Sequence, residues 1–230
     1  MAEQVLNGTP SLHLRTLYLF DAAGRTESTL EPQPTDGPSF TMIRSRAERV
    51  WAVGARVAPG LAEQLDLLAG REPPLEEWRD PPRFAERYRA LLGGVLVSGP
   101  ALEFPDRIDA PAGVILIDDV RVLQRHFPGW TAEETTGRTP MAAVMVDGHA
   151  VSLCACARRT GEAAEASLET AEPFRGQGLA ERVTAAWAIA VRESGRTPLY
   201  STSWENTASL AVARKLGLTT YAASWSLYQK

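Results

Sequence analysis

The fold is decided by the stretch Ala171-Glu172-Pro173-Phe174-Arg175-Gly176-Gln177-Gly178-Leu179-Ala180. Residues 164–171, which end on the first residue of this stretch, form a predicted strand. After it, apolar residues recur every three or four positions and predict a helix to about Glu193, ended by Gly195. A strand that leads through a glycine loop into a helix can bind phosphate, because the first N–H groups of a helix lack intrahelical partners and carry partial positive charge.

The glycine loop differs from the two common nucleotide-binding loops. Gly176 and Gly178 have no side chains, so an anion can approach the backbone closely, and Arg175 adds a fixed charge beside it. A Rossmann loop requires a third glycine, and a Walker loop requires Gly-Lys-Ser/Thr; the sequence has neither. Its spacing is instead Arg-x-x-Gly-x-Ala.

A second motif follows downstream of the loop. A short predicted strand at residues 198–202 precedes Asn206-Thr207-Ala208-Ser209, which opens a predicted helix that closes on Lys215-Leu216-Gly217-Leu218. The two motifs, and the order hairpin, strand, glycine loop, helix, strand, helix, strand, resemble the GNAT superfamily of N-acetyltransferases. The resemblance covers roughly residues 114–230. It implies an α/β (α+β) fold: a mixed, largely antiparallel sheet with helices on both faces.

The resemblance also implies the cofactor and its site. In the superfamily, the glycine loop binds the pyrophosphate of acetyl-CoA, and the Asn-x-x-Ser helix lies along the pantetheine arm. The strand before the loop splays from its neighbour, and the thioester enters the gap, where a backbone N–H near Leu168–Thr170 could stabilise the oxyanion. The cofactor-binding residues carried over are Leu168, Thr170, Arg175, Gly176, Gln177, Gly178, Leu179, Ala180, Asn206 and Ser209.

At the catalytic positions the sequence departs from the family pattern. Many members have a tyrosine that protonates the departing thiolate, and Ala213 stands at that position. Tyr221 and Tyr200 are candidate replacements, alongside Ser209 or a water molecule. The candidates for the general base are Glu165 and Glu169, which strand alternation places on one face. Solvated strand residues remain the alternative reading of both glutamates.

Composition limits the partners. The 230 residues include 44% hydrophobic and 23% charged residues with a formal net charge of −4, and no basic stripe indicates nucleic-acid binding. No apolar run approaches the ~18 residues of a membrane span, so neither nucleic acid nor membrane is expected as a partner. Cys154 and Cys156 lack the histidine or cysteine neighbours of a metal site. We expect a cytoplasmic protein without a bound metal.

Proline usage divides the chain. Of the 16 prolines, 14 lie at or before Pro140, which predicts short elements up to that residue and longer ones after it. A linker predicted at residues 106–113 and the extent of the GNAT resemblance divide the chain into an N-terminal α+β region, 1–110, and an acetyltransferase domain, 114–230. The N-terminal region could be a degenerate acyltransferase-like half. We predict a hairpin of strands at 12–20 and 25–30, helices at 60–69, 84–92 and 119–126, a broken or bulged strand at 95–104, and a hairpin at 141–157.

Two functions of different classes remain open. The first is transfer of an acetyl group from acetyl-CoA to a primary amine of a small-molecule or peptide acceptor. The second is an acyl-CoA-binding module or sensor without catalytic activity, which Ala213 favours. The sequence does not identify the acceptor, and it leaves a homodimer open.

Overall fold

The computed structural model describes residues 8–229. Its helices are α1 (Pro10–Leu17), α2 (Pro59–Ala69), α3 (Ala85–Leu92), α4 (Ala132–Gly137), α5 (Leu179–Glu193) and α6 (Thr207–Lys215). Its strands are β1 (Tyr18–Phe20), β2 (Thr26–Thr29), β3 (Phe40–Arg44), β4 (Arg49–Val53), β5 (Val95–Glu103), β6 (Ile115–Leu116), β7 (Ala142–Val146), β8 (His149–Arg159), β9 (Ala163–Thr170), β10 (Thr197–Ser201) and β11 (Thr219–Tyr228).

Nine of these strands form one mixed sheet in the order β4-β3-β11-β5-β10-β9-β8-β7-β6. The neighbours β9 and β10 are parallel, and the other seven neighbouring pairs are antiparallel. The remaining strands, β1 and β2, form a separate hairpin. The predicted mixed, largely antiparallel sheet is therefore confirmed.

Helices cover both faces of the sheet. On one face, α5 packs on β7, β8, β9 and β10 through a core that includes Val183, Trp187 and Val191. On the other face, α1 packs through Leu14 and Leu17, next to a separate core around Trp130 and Leu153. Adjacent residues of one strand contribute to opposite cores, as the two-residue period of a strand requires. The sheet is thus buried on both sides at its centre.

The N-terminal and C-terminal parts of the chain share this sheet. The last strand, β11, lies between β3 and β5, and β5 also pairs with β10 at Ala101–Glu103. The boundary expected near residue 110 therefore falls between two strands of one sheet, and the division into two regions remains a sequence-based proposal.

Three sequence predictions are corrected by the structure. Residues 12–17 are helical rather than extended, because Thr9 caps the helix through Leu12 N and Pro10 occupies its first turn. The helix predicted after Asp119 is only a 3₁₀ turn, Val120–Val122. The strand predicted to be broken at Gly99-Pro100 is continuous, and the bulge lies on its partner β11, at Tyr221.

Two β-bulges act on the same region of the sheet. On β11, Thr220 pairs with Leu102 and Ala222 with Ala101, which leaves Tyr221 as the extra residue. On β8, the register shifts between Cys156 and Arg158, and this shift brings Arg158 opposite Glu165 of β9. Bulges redirect side chains, commonly beside active sites. Arg158 thereby contacts Glu165, and Tyr221 contacts His13, which lies next to Glu165.

Gly99 permits a close approach between β5 and the segment after β10. A Cβ built at Gly99 would lie 1.7 Å from the carbonyl oxygen of Thr202. We expect Gly99→Ala to lower the free energy of unfolding by about 1–3 kcal/mol, because backbone must move to admit the methyl group.

Chemical denaturation would measure this loss. Gly60→Ala is the matched control, since a Cβ at this helical position meets no atom within 4 Å. Its stability should be unchanged or raised by up to about 1 kcal/mol. Equal stabilities of the two variants would show that the approach at Gly99 is relieved at no cost.

Candidate active site

A cavity of about 770 Å³ lies between the C-terminal half of β9, the end of β10, the start of α5 and the helix α6. This volume is within the range of small-molecule sites. Its walls are partly apolar, with Phe127, Leu168 and Phe174, and partly polar, with Arg175, Ser201 and Lys215. The cavity can therefore enclose a ligand with both an anionic and an apolar part.

The glycine loop forms one end of this cavity. Gly176 and Gly178 both have positive φ, +76° and +75°, a conformation that glycine adopts without steric cost. Gly178 precedes the first turn of α5, and no side chain caps that end of the helix. The backbone N–H groups of a 15-residue helix thus start at the cavity wall. Arg175 stands beside them and donates from Nε to the Thr170 carbonyl, 3.1 Å away.

A gap opens in the sheet above the loop. The strands β9 and β10 pair only from Thr197 with Ala163 to Leu199 with Glu165. Beyond that pair the strands separate, and residues from both, including Leu168, Thr170 and Ser201, line the cavity. Peptide groups on the freed edge of β9 are therefore available to a ligand that enters the gap.

Glu165 lies at the point where the two strands separate, and it is 2% exposed. Its Oε2 accepts a hydrogen bond from Arg158 Nη1 at 2.6 Å, while its Oε1 accepts one from Ser201 Oγ and contacts His13 Nε2 at 3.3 Å. Burial alone would raise the pKa of Glu165, but the Arg158 charge and the hydrogen bonds from His13 and Ser201 lower it to about 2. The carboxylate is thus ionised at neutral pH.

Two further groups present polar atoms to the cavity. Tyr200, on β10, forms a 2.7 Å hydrogen bond between its hydroxyl and Ser209 Oγ of α6, and burial raises its pKa. Exposed Glu169 accepts a hydrogen bond from Trp130 Nε1 at 3.1 Å. Ala213, on α6, is buried in the core under α5 and carries no polar group.

Sequence comparison identifies the segment that carries this site. Residues 141–228 match one family model, that of the GNAT acetyltransferases. This segment belongs to the GNAT acetyltransferase family. The family is one of acyltransferase enzymes, and the match covers β7 to β11 with the glycine loop. The helix α1, which supplies His13, lies outside the matched segment. No curated protein matches the chain in sequence.

Solved structures resemble the fold at low sequence identity. A GNAT-family acetyltransferase from Novosphingobium aromaticivorans is 16% identical over 59% of this chain and 66% of its own, with a TM-score of 0.49. A GCN5-related N-acetyltransferase from Sphaerobacter thermophilus is 16% identical over 90% and 77%, with a TM-score of 0.48. A tandem GNAT protein from the clavulanic acid biosynthesis pathway is 14% identical over 89% and 80%, with a TM-score of 0.47. For the first two structures found, the alignment spans only 66% and 61% of their chains.

The structure places most of the residues expected from the GNAT resemblance around one cavity. The expected cofactor-binding residues that line it are Leu168, Thr170, Arg175, Gly176, Gly178, Leu179, Ala180, Asn206 and Ser209. Gln177 is exposed and does not line it; its amide contacts the Pro173 carbonyl at 3.4 Å. Asn206 caps α6 by accepting from Ser209 N.

The expected catalytic residues lie at three different places. Glu169 lines the cavity, Glu165 is reached from it through Ser201, and Tyr221 lies outside it, where its hydroxyl contacts His13. His13, Arg158 and Ser201 were not predicted from the sequence as site residues. Of these three residues, only Ser201 has a sequence signal, because it lies at the end of the predicted strand that precedes the second motif. His13 and Arg158 come close to Glu165 only through the packing of α1 and the bulge in β8.

Within residues 8–229, no helix is long and apolar enough to cross a membrane. Within the same residues, no group of three or more His, Cys, Asp or Glu side chains could hold a metal ion. Cys154 and Cys156 lie in the core under α5, and burial raises the pKa of both thiols.

Glu165 should make stability depend on acid pH. Its pKa in the folded state, about 2, lies below its ordinary value of 4.5, so the stabilisation is complete above pH 4.5 and is lost as the pH falls toward 2. We expect the loss of unfolding free energy between pH 7 and pH 3 to be roughly 2 kcal/mol smaller in Glu165→Gln than in the wild type.

Urea unfolding at the two pH values tests this expectation. Glu169→Gln, which alters an exposed carboxylate, is the control and should lose as much stability as the wild type. If wild type and Glu165→Gln lose the same amount, Glu165 is not the acid-sensitive carboxylate.

Proposed function

We propose that this protein transfers an acetyl group from acetyl-CoA to a primary amine. The observation that carries the proposal is the separation of β9 from β10 beyond the Leu199–Glu165 pair, directly above the glycine loop of the GNAT segment. A thioester can enter such a gap from the loop side, and an amine can approach it from the opposite face. Holding both reactants there makes their reaction effectively intramolecular.

The residues of the cavity fit acetyl-CoA. The pyrophosphate would bind to the N-terminus of α5, where a Cβ at Gly176 would meet no atom within 4 Å and the backbone is open to a ligand. Arg175 would add a charge-assisted hydrogen bond. Asn206 and Ser209 of α6 would lie along the pantetheine arm. When bound, the thioester supplies the acetyl group; proton transfers fall to the protein.

Ser201 and Glu165 would remove the proton from the amine. Ser201 Oγ donates its proton to Glu165 and lines the cavity, so its lone pairs are free to accept an N–H from an incoming amine. As the N–C bond forms, the amine proton would pass to Ser201 Oγ while the serine proton passes to Glu165 Oε1. A carboxylate with a low pKa suffices, since the nitrogen becomes acidic as the bond forms. Glu169, exposed on the cavity wall, is the alternative base.

Tyr200 would protonate the departing thiolate. Its raised pKa keeps the phenol protonated at neutral pH, and its hydroxyl meets Ser209 on α6, the helix on which Ala213 replaces the tyrosine of many family members. The donor would therefore come from the strand β10 instead of the helix. A coenzyme A thiol needs only modest help to leave, because thiol pKa values lie near 8.5.

The binding step is tested by a charge placed at the loop. We expect coenzyme A to raise the melting temperature of the wild type but not of Gly178→Glu, because a carboxylate there would stand in the place of the pyrophosphate. Gly195→Glu is the matched control: Gly195 follows the other end of α5 with a similar φ of +80°. It introduces the same charge and backbone strain and should keep the thermal shift. Equal thermal shifts in Gly178→Glu and the wild type would place the ligand elsewhere.

The chemical step is tested by acetyl-CoA consumption with a panel of primary amines. With the best amine, Glu165→Gln should lose about 10²-fold or more in kcat while it binds coenzyme A normally. Glu169→Gln should keep a rate close to that of the wild type. The reverse order would assign the base to Glu169. If coenzyme A binds but no amine supports turnover, the protein is an acyl-CoA-binding module without catalysis.

A further inference from the structure

A series of hydrogen-bonded side chains continues from Glu165 away from the cavity, through buried His13 to half-buried Tyr221. His13, on α1, is 1% exposed. Its Nε2 lies 3.3 Å from Glu165 Oε1, and its Nδ1 lies 2.5 Å from the hydroxyl oxygen of Tyr221, the bulged residue of β11. The catalytic step described above does not use His13 or Tyr221, although a buried histidine between a carboxylate and a phenol requires a defined proton arrangement.

The available partners favour one direction for these hydrogen bonds. Within residues 8–229, His13 Nδ1 is the one hydrogen-bond partner of the Tyr221 hydroxyl. If Nδ1 carried a proton and donated to Tyr221, the proton of this half-buried phenol would have no acceptor among residues 8–229. If Tyr221 donates to Nδ1 instead, the ring proton lies on Nε2 and faces Glu165, and every donor is satisfied.

The surrounding charges agree with this direction. Burial, together with the nearby carboxylates of Glu165 and Glu103, raises the pKa of Tyr221 well above its ordinary value, so the phenol remains a donor. Arg158 binds Glu165 on one side and Glu31 on the other, and keeps Glu165 ionised as an acceptor. The other titratable groups close to the cluster are Tyr18 and Tyr228, whose hydroxyls bind each other at 2.9 Å.

We infer that His13 is a positioning residue for the proposed transfer reaction: Tyr221 donates to its Nδ1, its Nε2–H donates to Glu165, and Glu165 thereby accepts the Ser201 proton. The catalytic role of His13 in this inference rests on the proposed function, whereas the proton arrangement of the His13 ring does not. Because Ser201 donates its only proton to Glu165, it presents an acceptor to the cavity and favours a ligand group that donates a hydrogen bond, as an amine N–H does.

Nitrogen NMR of the histidine rings tests the proton arrangement without any turnover. The chain has three histidines, so ¹⁵N-histidine labelling gives three ring systems, and His13→Gln identifies the signals of His13. We expect a protonated Nε2 and an unprotonated Nδ1. Tyr221→Phe should shift the Nδ1 signal, whereas Tyr228→Phe, which removes a phenol from the same strand, should not. A proton on Nδ1, or on both ring nitrogens, would overturn the inference.

Two conservative variants test the catalytic role. An asparagine amide at position 13 occupies the place of Nδ1, so it meets Tyr221 but does not reach Glu165; a glutamine amide reaches the place of Nε2 and can donate to Glu165. With acetyl-CoA and the best amine of the panel, His13→Asn should lose about tenfold or more in kcat with an unchanged KM for acetyl-CoA. His13→Gln should retain most of kcat.

The outcomes separate this inference from the proposed function. Equal losses in the two variants, or a greater loss in His13→Gln, would make His13 a structural residue only and overturn its positioning role. If the wild type transfers acetyl to no amine, the proposed function fails, and the NMR result alone then decides whether His13 holds Glu165 as an acceptor.

Discussion

The burial of one carboxylate organises the centre of this structure. Glu165 lies at the last paired position of two parallel strands, with its oxygens withdrawn from water. An ionised carboxylate in such a place is strongly destabilising unless several donors satisfy it. Arg158, His13 and Ser201 supply those donors, and each comes from a different element of the fold. The position of α1, the bulge in β8 and the end of β10 all meet this single requirement.

The same requirement links stability to the gap in the sheet. Ser201 can bind Glu165 because β10 turns away from β9 after Leu199, which brings the serine hydroxyl beside the carboxylate instead of into a continuous ladder. The gap that admits a ligand is therefore also the place where the buried charge receives one of its hydrogen bonds. Glu165 is therefore held by hydrogen bonds of the fold, and Ser201 Oγ connects it to the cavity.

Local sequence patterns predicted the part of the site that is formed by residues close together in the sequence. The strand, the glycine loop and the helix α5 are contiguous, and their glycines and apolar spacing are visible in residues 164–193. The hairpin of β7 and β8 was equally predictable, because an Asp-Gly pair favours a type I′ turn. In the structure, Asp147 and Gly148 both have the positive φ of that turn. The prediction failed at residues 12–17, where Thr9 and Pro10 start a helix that the apolar residues alone did not distinguish from a strand.

The donors around Glu165 could not be predicted in this way, because they depend on register and tertiary packing. A shift of one residue moves a side chain to the opposite face of a sheet, and the bulges at Tyr221 and before Arg158 are such shifts. His13 is 152 residues from Glu165 along the chain.

The N-terminal part of the chain contributes structural elements on which the GNAT segment depends. Its strand β5 separates β10 from β11, and its helix α1 completes the hydrogen bonds of the buried carboxylate. Residues 141–228 alone would expose the facing edges of β10 and β11 and leave Glu165 without one of its donors.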